Sequence, residues 1–288
     1  MISVDVRLVT CAHPPVEDRD TALIATALRN AGASVEVADW RDAGVDWSSG
    51  RLTVLRSPWD YVDAVDDFVS WTRETGAVTQ LWNPPALVEW NVHKAYLLDL
   101  GTRGAPVVPT VVLLHGTAAS LDGICDARGW NTVVVKPAVG IGGHGAGRFD
   151  VGDPNAQAHL DTLLARGDTL VQLFMPSVAT EGELSVVLFD GVASHAVRKA
   201  PGADDYRVQE EWGGRAEAVE PAAGAAELAA RVCAVLPELP LYARVDMLRA
   251  GDLWHVLEVE VTEPSLFLEL APPAAKDALV RAVMSRLP

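Results

Sequence analysis

Residues Val133–Gly147 read VVVKPAVGIGGHGAG. Three valines lead into Lys136 and Pro137, and glycines follow at Gly140, Gly142, Gly143, Gly145 and Gly147. A β-branched run bounded by turn residues predicts a buried strand, and the lysine at its end projects a fixed cation beside the loop. Glycines accept positive φ and let backbone N–H groups converge on an anion without Cβ clashes. Strand, lysine and flap together suit a triphosphate, whereas a glycine loop alone is equally a surface loop with a snorkelling lysine. No Gly-Lys-Ser/Thr follows, so the stretch is not a Walker loop, and its spacing is not that of a dinucleotide fingerprint.

Upstream, Val4–Thr10, Ser34–Ala38 and Leu52–Leu55 read as strands, and Asp18–Asn30 and Val62–Thr75 as helices. Alternation of this kind predicts a small parallel α/β lobe over residues 1–85. Its third strand ends in Arg56-Ser57-Pro58-Trp59-Asp60-Tyr61. Ligands of open α/β sheets bind beyond the carboxyl ends of strands, so Arg56, Ser57, Trp59, Asp60 and Tyr61 are candidates for holding a zwitterionic small molecule. A helix N-terminus with Asp60 offsetting the dipole and Trp59 packed gives the same pattern. Asn91-Val92-His93-Lys94 opens a helix through Leu100, and Gly101–Pro109 is a linker. Val111–Leu114 is a strand, Thr117–Arg128 and Asn155–Ala165 are helices, and TLVQLFM at Thr169–Met175 is a strand ended by Pro176. Glu183–Phe189 and Val192–Arg198 flank Asp190-Gly191 as a hairpin. An alanine-rich helix at Ala222–Leu236, strands at Tyr242–Leu248 and Leu253–Val261, and a helix near Pro273–Arg286 close the chain.

The 288 residues suffice for two or three packed lobes, and the hydrophobic content of 49% is ordinary for a globular protein. No apolar run reaches membrane-spanning length, and MISVDVRLVT lacks the basic and apolar regions of a signal peptide. Cys11, Cys125 and Cys233 are few, odd in number and far apart, which argues against a disulfide framework or zinc site and favours a reducing cytoplasm. The net charge of −16 opposes nucleic acid or an anionic membrane as partner.

The last strand pair carries Asp246 in YARVDML, and Glu258 and Glu260 in LEVEVTEPS. Residues two apart on a strand share a face, so the two glutamates stand side by side, and a hairpin brings Asp246 across from them. Three adjacent carboxylates repel unless a cation neutralises them, and hard oxygens suit Mg²⁺ shared with nucleotide phosphates. Leu257, Val259 and Val261 would then form the opposite, apolar face, although an acidic face turned to water reads the same way.

Lys94, Lys136-Pro137, the glycine flap, Val171-Gln172-Leu173-Phe174-Met175-Pro176, Glu183, Lys199, Arg207, Arg244-Val245-Asp246 and Glu258-Val259-Glu260 follow one another in an order that resembles the ATP-grasp superfamily. Within it, RSPWDY (56–61), SHAVRK (194–199), YRVQ (206–209) and VTEPSLF (261–267) are similar to the group containing the O-ureido-D-serine cyclo-ligase of cycloserine biosynthesis. The resemblance covers nearly the whole chain. It implies an α/β ATP-grasp fold: a parallel pre-ATP-grasp lobe (1–85) and two α+β lobes clamping ATP, the smaller with the flap (86–175) and the last with the metal site (176–288).

It also implies roles. Lys94 and Lys136 would contact phosphates under a flap including Gly142, Gly143, His144 and Gly145. Gln172, Leu173, Phe174 and Met175 would hold adenine, and Glu183, with Glu181 as a weaker candidate, the ribose. Lys199, Arg207 and Arg244 would neutralise the γ-phosphate and developing acyl phosphate. Asp246, Glu258 and Glu260 would hold one or two Mg²⁺ ions, or Mn²⁺. Many members of the superfamily have asparagine where Glu260 stands, so this site carries one more negative charge. The implied activity is ATP-dependent carboxylate–amine ligation of a small amino-acid-like substrate, by cyclisation or by joining a second molecule. A nucleotide-binding protein without catalysis is the rival from another class. Nothing here excludes a homo-oligomer.

Overall fold

The computed structural model describes residues 4–14 and 17–287. β1 (Val4–Thr10), α1 (Arg19–Asn30), β2 (Val35–Asp39), β3 (Gly50–Ser57), α2 (Val65–Val78) and β4 (Gln80–Trp82) build a parallel sheet of order β2-β1-β3-β4. Helices cover strands that are paired on both sides, which is why β1 and β3 are buried along almost their whole length, polar Arg7, Thr53, Arg56 and Ser57 included. Asp18 caps α1 by accepting from Thr21 N at 3.0 Å. The three-residue β4 is too short to show a period in the sequence and is placed by its pairing with β3.

Two short helices, α3 (Pro85–Asn91) and α4 (Tyr96–Thr102), stand where the sequence predicts one from Asn91. The helix is interrupted at Lys94, whose N–H donates to Ala138 O at 2.8 Å in the strand-to-flap connection. A tertiary hydrogen bond thus replaces a helical one and turns Lys94 toward the glycine loop.

β5 (Thr110–Leu113), α5 (Leu121–Arg128), β6 (Thr132–Pro137), β7 (Gly147–Asp150), α6 (Ala156–Leu164) and β8 (Thr169–Leu173) contribute an antiparallel sheet of order β5-β8-β6-β7. β7 pairs with β6, Phe149 opposite Val133, so the glycine stretch is the tip of a hairpin and not a free loop. After the single turn α7 (Ser177–Thr180) come β9 (Glu183–Phe189), β10 (Val192–Ala200), β11 (Arg215–Val219), α8 (Ala223–Ala234), β12 (Tyr242–Ala250) and β13 (Leu253–Glu260). These strands form an antiparallel sheet of order β11-β10-β9-β12-β13. Asp190 (φ 52°) and Gly191 (φ 75°) give the β9–β10 turn its left-handed residues, the conformation a two-residue hairpin requires.

The last helix, α9 (Pro273–Met284), returns to the beginning of the chain. Its Leu279 and Val283 share a core with Ile24 and Leu28 of α1 and with Val187 and Phe189 of β9. Buried Asn83 fastens the parallel sheet to the last one: Nδ2 donates to Tyr242 O (2.9 Å) and Val261 O (2.5 Å), and Oδ1 accepts from Leu241 N (2.7 Å). Among the described residues no helix is long and apolar enough to cross a membrane. Cys11, Cys125 and Cys233 are buried and unpaired.

Candidate active site

The three sheets enclose a cavity of about 540 Å³. At one end stands Lys136, the last lysine of β6, with no hydrogen bond or ion pair among the described residues. Burial pushes its ammonium below the usual lysine range. Lys94 donates to Gly140 O at 2.5 Å and pairs with Glu258 at 2.9 Å. Burial opposes that charge, and Glu258 more than restores it, leaving the Lys94 pKa raised. Gly142, Gly143 and Gly145 have φ of 58°, 70° and 73°, a region that β-carbons disfavour.

The flap is also gripped from the far side. Trp212 Nε1 donates to Gly142 O at 2.8 Å, and Arg207 Nη1 to Gly143 O at 3.4 Å. His144 lies 3.3 Å from the Glu211 carboxylate and edge-on to Trp212. Arg207 is paired with Asp205 at 2.6 Å and lies 3.2 Å from the centre of the Trp212 ring. Gly145 is outside the cavity wall, close to Pro137.

Gln172, Leu173, Phe174 and Met175 line the wall where β8 leaves the middle sheet. The amides of Leu173 and Phe174 already donate to Pro109 O (2.9 Å) and Thr132 O (3.0 Å), and Gln172 Nε2 donates to Thr110 Oγ1 (2.9 Å). Adenine would therefore meet an apolar surface here more than free N–H groups. Leu257 belongs to that surface, which corrects its expected place. A bulge between Asp246 and Met247 breaks the alternation, so Leu257 clusters with Met175, Val178 and Leu248, while Val259 and Val261 stay in the opposite core.

The β12–β13 register sets Asp246 opposite Glu258 and Arg244 opposite Glu260. Lys199 pairs with Glu183 and, at 3.2 Å, with Asp246. Arg244 pairs with Asp246 at 2.9 Å and with Glu260. Burial would raise the Asp246 pKa, but Arg244 and Lys199 overcome it and hold the carboxyl well below its usual range. Burial dominates at the other two, pushing Glu183 up to about 7 and Glu260 to about 6. Glu258 is held low against burial by Lys94 and Lys136. Among the described residues, no set of three or more His, Cys, Asp or Glu side chains is gathered to ligate an ion. The donors at Asp246, Glu258 and Glu260 are nevertheless hard oxygens on one strand pair, which fits Mg²⁺ chemically. In this arrangement each is tied to a lysine or arginine.

At the opposite end Arg56 and Trp59 line the cavity, whereas Ser57, Asp60 and Tyr61 do not. These three have other partners. Ser57 Oγ donates to Asp18 and is hydrogen-bonded to the Thr10 hydroxyl at 2.9 Å, and Asp60 accepts from Trp40 Nε1 at 2.6 Å and pairs with Arg41 at 3.4 Å. Tyr61 reaches the site indirectly, donating from its hydroxyl to the Glu263 carboxyl at 3.1 Å. Glu263 itself lines the cavity, and burial together with the charge of Glu260 pushes it up to about 8. Sequence reading passed over Glu263, although it sits inside the VTEPSLF segment. Phe267 (φ 52°), Ser265, Glu17 and Asp18 before α1, and Arg19 at its first position also line the cavity, with no residue pattern to mark them.

Two family models match the chain: "D-cycloserine synthetase DcsG, N-terminal domain" over residues 6–83, and "Prokaryotic glutathione synthetase, ATP-grasp domain" over 109–273. The chain belongs to the ATP-grasp ligases, enzymes that form C–N bonds and as a family use ATP and Mg²⁺. It is 35% identical over 287 residues to the cycloserine biosynthesis protein DcsG of Streptomyces lavendulae, covering 93% of this chain and 94% of that one. The glutathione synthetase of Prochlorococcus marinus is 27% identical, with 94% and 95% covered. Among solved structures, the crystal structure of D-cycloserine synthetase DcsG superposes with a TM-score of 0.90 at 32% identity, over 98% of this chain and 99% of that one. The D-alanine–D-alanine ligase of Bacillus anthracis shares the fold, with a TM-score of 0.68 at 14% identity over 99% and 96%.

Proposed function

We propose that this enzyme activates the carboxylate of a small amino-acid-like substrate as an acyl phosphate, and that a nitrogen of the same molecule then closes the ring. O-ureido-serine is the favoured substrate class. The observation that carries the reading is that one cavity joins two differently derived ends. Apart from Lys94, which lies between the two matched parts, the lysine- and carboxylate-lined end comes from the part matched by the glutathione synthetase model. Arg56 and Trp59 come from the part matched by the D-cycloserine synthetase N-terminal domain.

In this reading Lys136 and Lys94 receive the phosphates of ATP, and the flap's backbone covers them. Gln172 to Met175 and Leu257 enclose the adenine, and Glu183 takes the ribose hydroxyls. Asp246, Glu258 and Glu260 would hold Mg²⁺, whose positive charge would be supplied to the phosphate oxygens. Arg244 and Lys199 face the γ-phosphate as the substrate carboxylate attacks it, and Arg207 approaches through the flap. The acyl phosphate formed with release of ADP is then opened by the nitrogen nucleophile, which expels phosphate. Phosphoryl transfer of this kind asks the protein for alignment and charge neutralisation and little covalent work.

The test is product analysis by mass spectrometry with ATP, Mg²⁺ and both hands of O-ureidoserine, alone and with added amines. ADP and a cyclic amide formed from one amino acid alone are expected. An amide that appears only with a second amine would reassign the enzyme to intermolecular ligation. AMP in place of ADP would refute the acyl phosphate.

A further inference from the structure

We infer that Arg56 is the anchor for the substrate's carboxylate, presented by the N-terminal sheet beside the cation cluster of the C-terminal one. The inference rests on the reading above in taking the substrate to be a carboxylic acid. It adds which side chain selects that group.

Arg56 is 2% exposed and is the largest fully buried side chain among the described residues. A guanidinium has five N–H donors, and here Nη2 supplies one to Pro264 O at 3.0 Å. Nε and Nη1 are buried with no hydrogen bond of full geometry, the Tyr242 side chain being a neighbour that interacts with the guanidinium, and the residue lines the cavity. The ring of Tyr242, 5.0 Å from the guanidinium carbon, offers a cation–π contact, and no ion pair joins Arg56 to any described carboxylate. A buried charge in that condition is costly to keep unless something supplies the missing anion.

The other cavity cations differ. Lys94 has Glu258, Lys199 has Glu183 and Asp246, and Arg244 has Asp246 and Glu260. Lys136 shares Arg56's want of a partner but stands beside the flap, at the nucleotide end. Two cations without an ion-pair partner among the described residues, one beside the flap and one on the N-terminal sheet, call for two anions, a phosphate at the first and a second, smaller anion at the other.

Position narrows the second anion further. Arg56 donates to Pro264 O, and Arg244 Nη1 donates to the next carbonyl, Ser265 O, at 3.1 Å. Consecutive residues are about 3.8 Å apart at Cα, so the two guanidiniums grip adjacent residues of one connecting segment. An anion on Arg56 therefore lies alongside the Arg244–Asp246–Glu260 cluster. Glu263 does not supply it. That carboxyl is engaged by Tyr61, Trp59 Nε1 holds its backbone carbonyl at 3.0 Å, and burial keeps the group largely protonated near neutrality.

The experiment is a ligand-by-mutant cycle on the full chain. O-ureido-D-serine and its carboxamide are titrated calorimetrically into wild type, Arg56→Gln and Arg56→Lys with a non-hydrolysable ATP analogue present. Wild type is expected to prefer the acid by at least about tenfold, as charge-assisted pairing implies. Arg56→Gln loses that preference, Arg56→Lys recovers part of it, and all three bind the ATP analogue within about twofold of one another. A preference that survives in Arg56→Gln, or one absent from wild type, overturns the assignment. So does a parallel loss of nucleotide affinity. A second arm uses acetate as probe, so that it does not depend on the substrate. Acetate should raise the wild-type melting temperature more than chloride of equal ionic strength, and should not do so in Arg56→Gln. Equal acetate effects in the two proteins overturn the anchor. A positive acetate result with no ADP formed from any amino acid would refute the proposed function and leave the anchor standing.

Discussion

Replacing Glu263 by glutamine should change how stability depends on pH. The carboxyl is 8% exposed, and burial, reinforced by Glu260 and partly offset by Lys94, moves it from an ordinary 4.5 to about 8. The folded state therefore keeps a proton that the unfolded chain gives up. Between pH 4.5 and about 8 the native protein binds more protons, so stability is fully present below the lower value and is lost as pH rises through the upper one. At about 1.36 kcal/mol per pH unit, the full span corresponds to at most about 5 kcal/mol. From about pH 6 to 7.5 the part due to Glu263 is about 2 kcal/mol. A glutamine in its place keeps an oxygen to accept from the Tyr61 hydroxyl and has no proton to lose. Urea unfolding without nucleotide at about pH 5, 6, 7 and 8 measures the effect. Wild type should lose about 2 kcal/mol more than Glu263→Gln between about pH 6 and 7.5. Glu183 and Glu260 also contribute a falling slope in both proteins, so the difference reports Glu263 together with its coupling to Glu260. Stability curves that run parallel over this range would refute the reasoning.

Three other perturbations test different parts of the structure. Asn83→Ala removes three hydrogen bonds between sheets and leaves buried backbone groups unpaired, so it should cost about 3 kcal/mol; an unfolding midpoint close to wild type in urea would show that water replaces the side chain. Lys136→Ala should weaken ATP binding at least about tenfold by calorimetry, since it removes the phosphate-end cation without a protein partner, and unchanged affinity would count against the clamp. Glu258→Gln should reduce ADP formation by about a hundredfold or more, with a lowered melting temperature because Lys94 loses its partner. Near-normal ADP production from that variant would remove Glu258 from the metal and phosphate chemistry.

The fold was most legible where one local rule acted alone. The β9–β10 hairpin follows from Asp190-Gly191, and the β12–β13 pairing that brings Asp246 to Glu258 follows from two alternating runs about Gly251. Short strands escaped because they have no period of their own. β4 has three residues, β7 carries a single large apolar side chain, and β11 is an exposed edge whose existence depends on β10. Lys94 was legible as a residue but not in its setting, because the hydrogen bond that breaks its helix comes from the end of a strand more than forty residues away. In the site, charged residues with a distinctive order were found. Ser57 and Asp60 were grouped with Arg56 by adjacency, but a turn sends neighbouring side chains in different directions, and only Arg56 and Trp59 of the five candidates line the cavity. Leu257 was misplaced because period-two alternation cannot register a bulge.

The charge pattern explains why single residues of this site resist interpretation one at a time. Lys94, Lys136, Lys199 and Arg244 face Glu183, Asp246, Glu258 and Glu260, equal in number and formally balanced. The pairing is uneven. Lys199 and Arg244 share Asp246 between them while also holding Glu183 and Glu260, Lys94 holds Glu258, and Lys136 has no partner among the described residues. Burial, with the neighbouring carboxylates adding to it, keeps Glu183 and Glu260 raised in spite of Lys199 and Arg244. At Lys136 burial disfavours the charge more than Glu258 supports it. An incoming phosphate relieves Lys136, and any cation arriving with it relieves Glu260, so the two are better received together than separately. The same unevenness is a reason for Arg56 to stand apart, since a carboxylate drawn to a cation already shared by two carboxylates would be held less firmly than one drawn to a guanidinium with donors to spare.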